Sequence, residues 1–134
     1  MFKSETIIRV RYAETDQMGF VYYGNYAQYY EVARVEALRS IGISYKSLED
    51  SGIMMPVIKM SINYKKPAYY DDILRIVTKI KFIPTIKMEF LYEIYNSNDV
   101  LINSGETILV FVSKATMKPC QCPNWFINIL EERN

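Results

Sequence analysis

Apolar residues recur at two different periods along this chain, and the change of period divides it. From Glu5 to Tyr12 the pattern is short and strand-like, with imperfect alternation. A mostly polar stretch, Ala13 to Gly19, interrupts it. Between Tyr26 and Ile41 the positions Tyr26, Tyr30, Ala33, Ala37, Leu38 and Ile41 fall at three-to-four spacing, with Glu31, Arg34 and Arg39 off that stripe. The spacing predicts one amphipathic helix of about four turns. Asn25 is the expected N-cap, with Gln28 completing a weak capping box, and Gly42 stands where a left-handed C-cap is wanted. Residues 45–51 read as a second, short helix closed by Gly52.

Beyond the helices the period drops to two. Ile58, Met60, Ile62 and Tyr64 alternate with Lys59, Ser61, Asn63 and Lys65. The same alternation runs through Leu74, Ile76, Thr78, Ile80 and Phe82, and again through Ile86, Met88, Phe90, Tyr92 and Ile94. Residues 100–112 predict a long strand with a bulge or tight bend at Gly105. Asn96-Ser97-Asn98-Asp99 is a hairpin turn, and Pro67, Asp71-Asp72 and Pro84 punctuate the earlier junctions. Phe126, Ile129 and Leu130 share one face of a short helix near the C-terminus.

Strand, long helix, then four antiparallel strands predicts an α+β fold, with a sheet of about five strands wrapped around one central helix. Residues 1–134 read as a single domain. One helix cannot cover both faces of such a sheet. Alternation leaves Val77 and Leu91 on the second face, beside Lys59, Lys65, Lys79 and Lys81. Pairing of whole domains through a sheet edge or face is the expected solution, which makes the protein a homo-oligomer.

Composition narrows the chemistry. Sixteen basic residues against fifteen acidic ones give a net charge of +1, which argues against a general nucleic-acid binder and still permits a local basic patch. No apolar run approaches the roughly 18 residues of a membrane span. The first residues, Met1-Phe2-Lys3-Ser4-Glu5, lack the features of a signal peptide. Cys120 and Cys122 form a C-x-C pair that cannot complete a zinc site without histidine or further cysteine. Two incidental thiols fit a cytoplasmic protein. Histidine is absent, which removes Ser-His-Asp and Cys-His catalysis and every histidine-ligated metal site. The chemistry falls to carboxylates, lysine, tyrosine, backbone dipoles or a bound cofactor. Of the twelve tyrosines, Tyr12, Tyr22, Tyr23, Tyr26, Tyr29 and Tyr30 crowd one early stretch.

That stretch carries a resemblance. Tyr12, Thr15-Asp16, Gly19, Val21-Tyr22 and Asn25-Tyr26 match the signature of the 4-hydroxybenzoyl-CoA thioesterase and YbgC-type acyl-CoA thioesterases of the hotdog superfamily. Glu31, Ala33-Arg34 and Glu36 continue the match, as does Pro67-Ala68-Tyr69-Tyr70-Asp71-Asp72. The similarity runs from residue 6 to about 119. It implies a hotdog fold and hydrolysis of an acyl-CoA, with CoA as part of the substrate and no metal or other cofactor. Two departures stand out. Tyr23 occupies a position where many YbgC-like members have histidine, and the Pro84-Thr85 turn lacks an arginine often found there.

The resemblance also implies a site. By itself Asp16 reads as an Asx-turn or capping residue. Within the motif it is the carboxylate that attacks the thioester carbonyl or activates water, and the sequence leaves both routes open. The backbone N–H of Tyr23 is the implied oxyanion donor, and Gly19 lets the loop pass close to the acyl group. Tyr22, Asn25 and Tyr26 are further expected substrate contacts, whereas Tyr29 and Tyr30 read as core. Glu31 is the rival carboxylate, its alternative being a salt bridge to Arg34 or a neighbouring strand. Lys65, Lys66 and Lys87 are candidates for the CoA phosphates. The family's pantetheine path falls on Val57, Ile58, Lys59, Met60 and Ser61 of the partner subunit, in a dimer or dimer of dimers. Two other readings stay open: hydrolysis of acyl groups from acyl carrier protein, and a pantetheine-binding module without hydrolysis.

Overall fold

A computed structural model describes residues 1–133. Strand β1 (Phe2–Arg9) leads through two short 3-10 turns, Tyr12–Glu14 and Tyr23–Asn25, into helix α1 (Tyr26–Arg39). Helix α2 (Tyr45–Asp50) and the short strand β2 (Ile53–Met54) follow. Then come β3 (Val57–Tyr64), β4 (Ile73–Ile80), β5 (Lys87–Tyr95), β6 (Leu101–Val110), β7 (Val112–Ser113) and α3 (Asn124–Glu131). Five strands form one antiparallel sheet in the order β1-β4-β5-β6-β3, and β2 pairs with β7.

The period-two residues of β4 and β5 point at α1. Leu74, Ile76 and Ile80 join Met88, Phe90, Tyr92 and Ile94 in a core that takes Tyr26, Tyr30, Ala33 and Leu38 from the helix. This is the expected hotdog arrangement, with a single long helix packed against one face of the sheet. Tyr30 stacks on Tyr92 at 4.2 Å between centroids and donates its hydroxyl to the Asn103 side chain. At the far end Phe126 and Leu130 of α3 seal the core beside Cys122, whose thiol burial pushes up to about 12. Gly42 takes the left-handed conformation expected after α1, at φ +86°.

Several local expectations are corrected. β1 ends at Arg9, where its ladder with β4 runs out at Ile73, so Tyr12 belongs to a 3-10 turn. β4 stops at Ile80 and leaves Phe82 exposed, and β5 begins only at Lys87. Asn25 does not cap α1 with its side chain: its backbone is already helical, and its Nδ2 donates to the carbonyl of Glu14 at 2.8 Å. Arg34 is not on the solvent face. It is 6 % exposed, and its Nε and Nη1 donate to the hydroxyls of Tyr45 at 2.8 Å and Tyr92 at 3.1 Å. A bridge from Glu31 to Arg34 is therefore not formed, and no ion pair to Glu31 occurs among the described residues.

Gly105 does not bend its strand either. β6 pairs through it on both sides, opposite Ile62 and Tyr92, without a register shift. A Cβ there would stand 2.4 Å from the Ser61 carbonyl oxygen and 2.6 Å from the Tyr30 hydroxyl, so close approach is what demands glycine.

The second sheet face also differs from expectation. Val77 is only 3 % exposed within the single chain. Its cross-strand neighbours are Glu5 and Glu93, which bond Arg75 at 3.1 Å and Lys79 at 2.8 Å and roof it over. A run of uncovered apolar side chains lies instead on the terminal strand β3, where Val57, Ile58, Met60 and Tyr64 are all exposed.

Candidate active site

The loop between β1 and α1 is built around Asp16. Its backbone N–H donates to the Phe20 carbonyl at 2.9 Å, and its carbonyl accepts from the Gly19 N–H at 3.0 Å. The carboxylate Oδ1 accepts from the Met18 N–H at 2.9 Å. The reversal needs Gly19 at φ +89°, a conformation that side chains resist. Asp16 is thus an Asx-turn residue, and the turn fixes the direction of its carboxylate.

Beneath the loop lies Glu14, which periodicity could not single out because it belongs to a 3-10 turn. It is 8 % exposed. Its Oε1 accepts from the Arg11 N–H at 2.8 Å and the Tyr29 hydroxyl at 2.9 Å, and its Oε2 accepts from the Arg11 guanidinium at 2.9 Å. The Glu14 carbonyl takes the Tyr22 N–H at 2.9 Å as well as Nδ2 of Asn25. One residue therefore ties the Asp16 loop to α1 and to the turn before it.

In the turn itself Asn25 N–H bonds the Tyr22 carbonyl and Tyr26 N–H bonds the Tyr23 carbonyl. The N–H groups of Tyr23 and Gly24 find no acceptor among the described residues. Free donors at the start of a helix form a local positive end.

These elements enclose a cleft of about 490 Å³. Asp16, Tyr23 and Tyr26 share it with Lys65 and Lys66, while Met18, Phe20, Val21, Tyr64 and Pro67 supply the apolar wall. Other expected residues lie elsewhere. Gly19 lines a second hollow with Tyr12 and Tyr70, which Asp16 also reaches. Tyr22 is exposed and leans on Tyr23 with centroids 4.7 Å apart, and Asn25 is occupied by Glu14. Lys87 lines a separate hollow with Phe82, Ile83 and Thr85. Val57, Ile58, Lys59, Met60 and Ser61 lie along the exposed β3 edge and do not line the cleft of their own chain. Tyr64, Met18 and Phe20 are cleft residues that the sequence reading missed; Tyr64 looked like an ordinary core position of an alternating strand.

Comparison with known proteins decides the family. Residues 18–103 match the profile of the thioesterase superfamily. The chain belongs to that superfamily. It is 36 % identical over 116 residues to the acyl-CoA thioester hydrolase YbgC of Escherichia coli O157:H7, covering 87 % of each chain. It is 30 % identical over 99 residues to the 1,4-dihydroxy-2-naphthoyl-CoA hydrolase of Thermosynechococcus vestitus, covering 73 % of this chain and 68 % of that one. Among solved structures, the DHNA-CoA thioesterase of Staphylococcus aureus superposes with a TM-score of 0.90 at 37 % identity, covering 98 % of this chain and 88 % of that one. No described helix of this family member is long and apolar enough to cross a membrane.

Proposed function

We propose that this chain hydrolyses an acyl-CoA thioester to a free acid and CoA, with Asp16 as the catalytic carboxylate. The observation that carries this reading is the shared cleft: it joins a carboxylate, a helix-start turn with free N–H donors, an apolar wall and two lysines. The relatives named above act on CoA thioesters, which supports the same substrate class here.

The chemistry follows from the parts. The thioester carbonyl lies between Asp16 and the turn. Asp16 either adds to the carbonyl carbon itself, forming an anhydride that water then opens, or takes a proton from the water that adds. The Tyr23 N–H, with Gly24 beside it, receives the negative charge that develops on the carbonyl oxygen. Because this donor is backbone, tyrosine in the place of histidine does not remove it. In the first route the C–S bond breaks as the anhydride forms, before water opens it, and the CoA thiolate takes its proton from solvent. In the second the C–S bond breaks as the water adduct collapses, and the proton held by Asp16 passes to the sulfur. No metal or further cofactor enters the reading. Lys65 and Lys66 attract the phosphates of CoA at the cleft mouth.

A second copy of the chain completes the site. Two-fold antiparallel pairing of β3 with its copy brings Val57 of the partner subunit towards the Tyr64 end, beside the cleft, and the pantetheine arm runs along that strand. Lys87 of the partner subunit then approaches from the next strands, since Lys87 pairs with Val110 at the same end of the sheet as Val57. Free Cys120 and Cys122 support a cytoplasmic location.

The test is Asp16→Asn assayed against acyl-CoAs of graded length and one aromatic thioester. We expect the variant to fold and bind acyl-CoA but to lose at least about two orders of magnitude in turnover. Near-parental turnover would sink the assignment, and loss confined to Glu31→Gln would move the role to the helix.

A further inference from the structure

We infer that Tyr64 selects the acyl group, and that the cleft whose wall it forms admits short acyl groups in preference to long chains. The inference rests on the thioesterase reading above. Tyr64 is the last residue of β3 and lines the cleft together with Asp16. The neighbouring walls are fixed: Val21 and Tyr26 are each 3 % exposed and packed into the core. Tyr64 is different, since it is 54 % exposed and belongs to a strand that nothing covers from outside in the single chain.

Its position is nevertheless defined. Its ring meets Tyr26 edge-on at 5.6 Å and Tyr23 edge-on at 6.3 Å. Its hydroxyl donates to the Tyr23 carbonyl at 3.3 Å, which is long for such a bond. That carbonyl already accepts the Tyr26 N–H. The ring is therefore an aromatic wall held by edge contacts and a weak latch, on the turn that carries the free N–H donors. The next two residues carry the ammonium groups, and their N–H groups both bond the Ile102 carbonyl at 3.0 Å. The strand end behind the ring is thus held to β6, and the Tyr64 side chain is the movable part of the wall. A chain that outruns the ring must displace it or fold back, whereas a short acyl group ends against it.

The experiment compares kcat/KM for a short and a long linear acyl-CoA in the parent, Tyr64→Ala, Tyr64→Phe and Tyr64→Trp, with sedimentation run alongside. The parent should favour the short substrate. Tyr64→Ala should move the long-to-short ratio up by about tenfold or more, the scale of pocket discrimination by a few methylene groups. Tyr64→Phe keeps the ring and loses only a weak hydrogen bond, so the long-to-short ratio should stay that of the parent. Tyr64→Trp enlarges the wall and should move the ratio the other way. Equal losses on both substrates in Tyr64→Ala and Tyr64→Trp, with the assembly state unchanged, would overturn the role of Tyr64 and leave the thioesterase reading standing. A parent inactive on every acyl-CoA would overturn both.

Discussion

The carboxylate of Glu14 and the phenol of Tyr29 meet at 2.9 Å beneath the loop that carries Asp16. Burial would raise the Glu14 carboxyl, but hydrogen bonds from the Arg11 backbone and guanidinium and from Tyr29, with the Arg11 charge, outweigh it and hold the group below its ordinary value of 4.5. The same contact pushes the Tyr29 phenol up, after burial. Glu14 thus enters the folded state as an anion with every strong partner already in place.

A depressed carboxyl in the folded state gives a defined pH dependence. Its contribution is present above the unfolded value near 4.5 and is lost as pH falls through the lower folded value. Glu14→Gln should therefore be less stable than the parent at pH 7, and the two should converge in acid. Urea midpoints at neutral and strongly acidic pH measure this directly. Matching midpoints at pH 7 would show that the Glu14 network adds nothing to stability.

Gly105 links the core to the sheet edge. An added methyl group would press on the Ser61 carbonyl, which is backbone, and on the Tyr30 hydroxyl. Tyr30 is fully buried and bonded to Asn103, so it has no room to retreat. We expect Gly105→Ala to cost about 1–3 kcal/mol through overpacking, read as a drop in the thermal unfolding midpoint. An unchanged midpoint would mean that β3 can shift outward freely.

The sequence pattern was most legible where burial is one-sided and regular. In β4 and β5 alternation names the core residues because α1 covers one face and charged side chains the other. The helix stripe is right for the same reason, but Arg34 escapes it: two tyrosine hydroxyls, contributed by distant α2 and β5, make its burial tolerable. No local pattern carries that information. The motif located Asp16, Tyr23 and Tyr26 in one cleft, whereas Glu14 depends on partners in a turn and a helix that spacing cannot join. Asn25 looked like a cap because it precedes a helix; the 3-10 turn before α1 takes over the entry and frees its amide for Glu14.

The edge strand supplies the last prediction, that the protein works as a dimer joined through β3. Among the described residues only β6 flanks β3 in the sheet, so the other side of β3 is an open edge. Ile58 is 51 % exposed and Met60 44 %, an apolar edge of the kind that soluble chains cover. A register shift between Val57 and Lys59 marks the start of the strand and leaves the stretch from Lys59 to Tyr64 regular for pairing. Since Val77 is already roofed by ion pairs, the face of the sheet gives no comparable motive. Two-fold pairing of β3 with its copy covers the apolar edge on both chains at once. Replacing Ile58 and Met60 together by Asp puts four like charges at that seam, while both positions are exposed in the single chain and leave its core intact. Light scattering should then report monomer where the parent shows dimer or larger, with the circular dichroism spectrum preserved. Turnover should fall together with assembly, because in the proposed site the partner strand holds the pantetheine arm. A folded monomer with full activity would show that each chain carries a complete site.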